Sequence, residues 1–374
     1  MKVLIFSVVL IGAALAKTRF DGFKVLEIFP QSEANVHRIA ELKERLEYIH
    51  VMVNKEHANE LEELAHKHGM PFKTLVDNVQ DLVDMQELEI NSAEYFNAGS
   101  PSHRFRIDQY HSTKEINDWM DSLAVDYPSI VSVMSAGRSH EGRDMKLVKI
   151  GSTGAGKPGY WLNGGQHPRE WIGVATACWI INQLVTRYES NPKIKNLVDT
   201  IDFYILPVLN PDGYEFTRPR PFSEVELRNV VNFLKTRKDT VKAFIDLHSF
   251  GERWFYPFAY FSQTYPPNIE ELKEVTLKAV KAIQSVHGTI YTHGTPGDIL
   301  YNASGSAMDY ASGRLGIEWC YTLELRPGNG DVDQNQYYGF ILPAKFIQRT
   351  ADEAWAGLKV VAEQLKSPNV ITDY

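Results

Sequence analysis

Apolar positions along this chain follow two spacings, and the switches between them lay out its elements. Phe23 to Phe29 reads as a strand, and Ser32 can cap a helix with Val36, Ile39, Leu42, Leu46 and Ile49 on one face. A short strand, Val51 to Val53, follows. Next comes a helix around Leu61, Leu64 and Ala65, closed by Gly69 with Pro71 just beyond, and then a strand from Phe72 to Val76. Together these predict a small α+β unit ending near Glu94. Asn97 to Ser102 is small and polar with Gly and Pro, as linkers are. Beyond it strands alternate with long helices, a pattern that implies a mixed, mostly parallel sheet covered on both faces, an α/β/α sandwich. Ser112 and Glu115 form a capping box at the head of a helix carrying Ile116, Trp119, Met120 and Leu123. Strands are predicted at Val131–Met134, Met145–Ile150, Tyr160–Asn163, Phe203–Val208, Ala243–Leu247 and Trp319–Leu325. There is no internal repeat and no low-complexity tract.

Composition narrows the partners. The 374 residues leave room for a small domain plus one of ordinary-to-large size, and 44% hydrophobic with 23% charged residues is usual for a soluble globular protein. A net charge of −8 argues against nucleic acid or an anionic membrane as partner. Met1 to Ala16 carries an early Lys2, an apolar run from Val3 to Leu15, and small residues before Lys17. That run is too short to span a bilayer and reads as a leader cut after Ala16, so a secreted, unanchored protein is expected. Secretion permits disulfides, yet only Cys178 and Cys320 are present. They are read as two buried small hydrophobes, with a bridge between them as the alternative.

The chemistry concentrates at predicted strand ends. After the strand ending at Asn163, the pair Gly164 and Gly165 turns the chain, and His167, Arg169 and Glu170 precede an apolar helix near Trp171. Sites in open α/β sheets lie at such ends. His167 and Glu170 are three apart, so on a first helical turn both can face one ion. A second strand ends in His248, and two histidines with a glutamate form a known catalytic zinc set that leaves one position open. Cys320, Thr322 and Glu324 alternate onto one face of a third strand. A Glu buried on a covered sheet face is costly unless it is paired or bound near a metal. It can serve as general base beside a metal-bound water, and a structural pair with Arg326 is the alternative. Tyr301 lies in a Gly/Ser-rich loop able to swing.

The segments around His167–Glu170, Leu209–Gly213, Ile245–Ser249, Tyr301–Gly305 and Thr322–Arg326 stand in the order found in A/B-type zinc metallocarboxypeptidases. From leader to C-terminus the chain resembles a digestive procarboxypeptidase. The resemblance implies a leader at 1–16, a ferredoxin-like activation segment at 17–104, and a catalytic domain at 105–374. It implies a monomeric zymogen secreted to a digestive lumen, opened by a trypsin-like protease near Arg104 and Arg106, and acting on peptides. It also implies one Zn²⁺ held by His167, Glu170 and His248, with Glu324 as general base. Arg169 then becomes a substrate-binding residue and Tyr301 a cap over the bound C-terminal residue. Met308 takes the pocket-base position where basic-preferring relatives carry an acid, so an apolar C-terminal side chain is expected.

The chain departs from the family in one place above all. The family carries a long loop after the Asn-Pro-x-Gly turn, with an arginine for the developing oxyanion and an Asn-Arg pair for the terminal carboxylate. Here Thr217 runs through Arg218–Phe222 straight into a helix at Ser223. The activation segment is shortened as well, where Ile49 meets His50 directly. An alternative reading follows: a zinc-binding but nearly inactive truncated form, a binder or a splice or gene-model artefact, with nothing charged left to read a free carboxylate.

Overall fold

Buried strands with near-continuous apolar sequence form the middle of an eight-stranded sheet, the expected result when helices cover both faces. The computed structural model describes residues 3–5, 21–29, 48–85, 88, 105–217, 225–328 and 338–366. The N-terminal unit is a four-stranded sheet of β1 (Val3–Ile5), β2 (Lys24–Ile28), β3 (Tyr48–Val53) and β4 (Phe72–Val76), ordered β1-β3-β2-β4. Helix α1 (Lys55–Lys67) packs on it through Ala65, and Gly69 follows at φ +63, as its place beyond a helix end requires. The strand at Val3–Ile5, inside the stretch read as leader, is not foreseen from sequence; it pairs in parallel with β3. The helix expected after Ser32, the linker at 97–102 and Arg104 lie outside the described residues.

The large sheet contains β5 (Val131–Arg138), β6 (Asp144–Ile150), β7 (Gly159–Gly164), β8 (Asp202–Leu206), β9 (Val241–Ser249), β10 (Arg253–Phe255), β11 (Thr292–Gly294) and β12 (Trp319–Leu325). Their order is β11-β10-β12-β9-β7-β8-β6-β5. The central β12, β9, β7 and β8 are parallel; β6 and β5 run antiparallel at one edge, and β10 is antiparallel to β12 near the other. The mixed α/β/α expectation therefore holds. The three-residue strands β10 and β11 are too short to leave a periodic signal and are not foreseen from sequence.

Helices α2 (Thr113–Asp126), α3 (Trp171–Thr186), α4 (Pro192–Thr200), α5 (Pro211–Thr217), α6 (Val225–Lys235), α7 (Ile269–His287), α8 (Pro296–Ile299), α9 (Ala307–Gly313) and α10 (Ile347–Gln364) complete the domain. Alternation divides the sheet's side chains between two cores. Leu162, Ile245 and Leu323 face α3, α7 and α10, whereas Trp161, Phe244 and Cys320 face Phe233 of α6 and Met308 of α9. Cys178 sits in the first core and Cys320 in the second, both as free thiols, so no bridge forms. Among the described residues no helix is long and apolar enough to cross a membrane.

The capping box stands as read. Ser112 N–H donates to Glu115 Oε2 at 2.8 Å, and Glu115 N–H donates to Ser112 Oγ at 3.2 Å. A hydrogen bond with His111 is the largest of the effects that lower the Glu115 carboxyl from 4.5 to about 2. A depressed folded value means Glu115 stabilises fully above about pH 4.5 and loses that contribution as pH falls toward 2. Glu115→Gln should therefore cost about 0.3–1 kcal/mol at neutral pH, the worth of a negative charge in a helix's first turn. The gap to the parent in denaturant melts should close in acid; a gap independent of pH would count against the pairing.

Candidate metal centre and active site

Strand β7 delivers the first two polar groups. It ends at Gly164, and Gly165 turns at φ +67, a conformation a side chain would strain. His167 then stands one turn before α3, with Glu170 N–H donating to His167 O at 3.1 Å. The Asn210–Gly213 turn clamps this segment: Asn210 N–H donates to Gly165 O at 3.0 Å, and a Cβ on Gly213 would lie 2.8 Å from the Pro168 ring. Parallel pairing of β7 with β9 brings the end of β9, and His248, to the same edge.

Three side chains converge there. His167 Nδ1 lies 3.0 Å from Glu170 Oε1, and His248 Nδ1 lies 3.0 Å from both Glu170 Oε2 and His167 Nδ1. Donors at about 2.0–2.1 Å from a tetrahedral ion stand about 3.3 Å apart, so the spacing suits one metal with little adjustment. Glu170 and His248 are buried, while His167 is 57% exposed and leaves the cluster open on one side.

Behind His248 runs a buried relay that the sequence reading does not single out. His248 Nε2 lies 2.8 Å from Asp246 Oδ2, Asn163 Nδ2 donates to Asp246 Oδ1 at 2.6 Å, and Trp161 Nε1 donates to Asn163 Oδ1 at 2.7 Å. A carboxylate only accepts, so Nε2 carries a proton toward Asp246, and with a metal bound Nδ1 would present its lone pair to the ion. The signal is present in the sequence, since Asp246 and His248 are two apart on one strand and share a face. Burial would lower the His248 pKa, but the Asp246 and Glu170 carboxylates hold it well above 6.5. Burial likewise opposes ionisation of Glu170; charge on His248 and the hydrogen bond from His167 prevail and bring it to about 2.

Glu324 is brought to this edge by register: it pairs with His248 on one side and with Arg253 of β10 on the other. Burial first, and the Glu170 charge second, raise its carboxyl to about 7. The alternative pairing with Arg326 does not form, because Arg326 is bound to Glu353 instead. Arg169 is exposed, its guanidinium 4.0 Å from the Phe340 ring centroid, and Phe340 meets Phe250 two residues past His248. Tyr301 is 48% exposed on its loop, and Met308 is buried in the core that includes Phe255. The Arg218–Phe222 junction lies outside the described residues.

A sheet edge carrying a His-Glu-His cluster and a high-pKa carboxylate in the adjoining row defines a metallohydrolase of the α/β class. The chain matches the family "Zinc carboxypeptidase" over residues 116–220 and 216–357, and "Carboxypeptidase activation peptide" over 26–86. The chain belongs to the zinc carboxypeptidase family: it is a metallocarboxypeptidase made with an activation peptide. It is similar to "Carboxypeptidase A2" of Rattus norvegicus, 32% identical over 427 aligned positions spanning 98% of this chain and 99% of that protein. It is also similar to "Carboxypeptidase B" of Astacus astacus, 34% identical over 69% of this chain and 97% of that one. Its fold matches the crystal structure of thrombin activatable fibrinolysis inhibitor (TAFI) with TM-score 0.81 and 26% identity, over 94% of this chain and 100% of that one. The alignment with the rat protein is longer than this chain's 374 residues, so part of that relative has no counterpart here. The two family matches meet at residues 216–220, where the loop is expected to be missing. These comparisons favour the enzyme over the nearly inactive alternative.

Proposed function

We propose that the protein is a secreted zymogen, with a leader at 1–16 and an activation segment at 17–104. Its catalytic domain, 105–374, uses one zinc ion to remove apolar C-terminal residues from peptides. The observation that carries this reading is the convergence of His167, Glu170 and His248 at 3.0 Å separations with Glu324 in the adjoining strand row. Zinc, when bound, supplies a Lewis acid that polarises a carbonyl and acidifies water. His167, Glu170 and His248 would hold it, and the fourth position is left for reactants. Glu324 takes a proton from the attacking water at its carboxylate and returns it to the leaving amine. Arg169 and Tyr301 hold the peptide, and buried Met308 gives the side-chain pocket an apolar base. The protein acts as a monomer, freed by a trypsin-like protease cutting near Arg104 and Arg106.

Metal analysis of the purified protein should give one zinc per chain, and His248→Ala should lose it; equal zinc in both would overturn the ligand set. After activation, a panel of peptides ending in Phe, Leu, Lys and Glu should be cleaved fastest at Phe and Leu. A preference for Lys would refute the apolar pocket.

A further inference from the structure

A carboxypeptidase must distinguish a free terminal carboxylate from an internal peptide bond, and an anionic group is best read by a guanidinium. Arg169, Arg253 and Arg326 lie on segments that border the strand ends carrying His167, His248 and Glu324. Arg326 is locked against buried Glu353, and Arg169 lies over the Phe340 ring. Arg253 differs from both. It is half-buried at the start of β10, in antiparallel register with Glu324, and among the described residues its guanidinium makes no side-chain hydrogen bond or close ion pair. Register puts His248, Glu324 and Arg253 in one row across β9, β12 and β10, and alternation turns these side chains to one face of the sheet. Its guanidinium lies against Gly251, where a Cβ would stand 1.9 Å from Arg253 Nη1. Gly251 in turn donates to Leu325 O, closing the loop after β9 onto the end of β12. The Arg253 charge favours the ionised form of Glu324 beside it, yet no side-chain hydrogen bond joins the two, so the guanidinium's N–H donors can take a ligand's acceptors.

We infer that Arg253 is a substrate-binding residue that reads the C-terminal carboxylate of the peptide. The inference rests on the carboxypeptidase reading above and adds to it the cation that the short Thr217–Ser223 junction leaves in question.

The test is binding without turnover. Zinc-loaded, trypsin-activated protein is titrated calorimetrically with benzoyl-glycyl-D-phenylalanine and with its amide. The parent should bind the acid more tightly. Arg253→Met should weaken the acid by about 30-fold or more and leave the amide nearly unchanged, as loss of one partner of a hydrogen-bonded charge pair predicts. Arg253→Lys, which keeps the charge without the fork, should fall between, and circular dichroism checks that each variant is folded. Equal changes for acid and amide, or none, would overturn the inference, as would an effect confined to kcat with peptide substrates. A parent that holds one zinc yet does not discriminate acid from amide overturns Arg253's role alone. A parent that holds no zinc overturns the reading beneath it as well.

Discussion

Glu324→Gln should lower kcat of the activated, zinc-loaded protein by about 10²–10⁴, the usual contribution of a positioned general base. The substitution keeps the shape and removes the proton acceptor, so zinc content and circular dichroism should match the parent. The pH profile gives an independent readout. Burial, then the Glu170 charge, raise the Glu324 carboxyl to about 7 in the protein alone, and the working form is the deprotonated one. Activity should therefore rise with pH along an acidic limb, which a bound cation moves to lower pH. That limb should be absent from the residual activity of the glutamine variant. A variant with parental kcat, or one that keeps the same limb, would remove Glu324 from the reaction.

How legible a site residue is in the sequence depends on whether its role leaves a mark in its own segment. His167 and Glu170 share a turn, so their spacing reports their convergence. His248 and Glu324 close strands whose apolar runs are easily read, and parallel pairing does the rest. Arg253 is invisible because β10 has three residues, and its place beside Glu324 is set by strand order alone. Asp246 is readable in principle from its spacing to His248, yet it blends into a buried strand. Arg326 suggests itself as a partner for Glu324 because the two are near in sequence. Its true partner is on the last described helix, and nothing local announces a pair that long-range packing creates.

That buried pair carries the largest stability prediction. Arg326 is 1% exposed and Glu353 0%, and the bond between them is a fork: Arg326 Nε donates to Oε2 at 2.8 Å and Nη2 donates to Oε1 at 2.9 Å. Thr289 Oγ1 also donates to Glu353 Oε1, at 2.7 Å, and His287 Nδ1 lies 3.1 Å from the same oxygen. Glu353→Ala breaks the buried fork and leaves Glu252 Oε1, 3.5 Å from Nη1, as the counter-charge beside the guanidinium, which should still cost about 3–5 kcal/mol. At about 2–4 °C per kcal/mol for a domain of this size, the melting temperature should fall by roughly 6–20 °C. Arg326→Met with Glu353→Leu removes both charges and should recover most of the loss, because the pair's attraction is largely offset by its desolvation. A double variant as unstable as Glu353→Ala would mean the pair is worth more than packing can replace. The consequence reaches the active edge. Arg326 follows β12 directly, and its bond to α10 ties down the strand end that carries Glu324 two residues earlier. Glu353→Ala should therefore lower kcat even at temperatures where the variant remains folded, whereas the apolar double variant should restore the fold more fully than the rate.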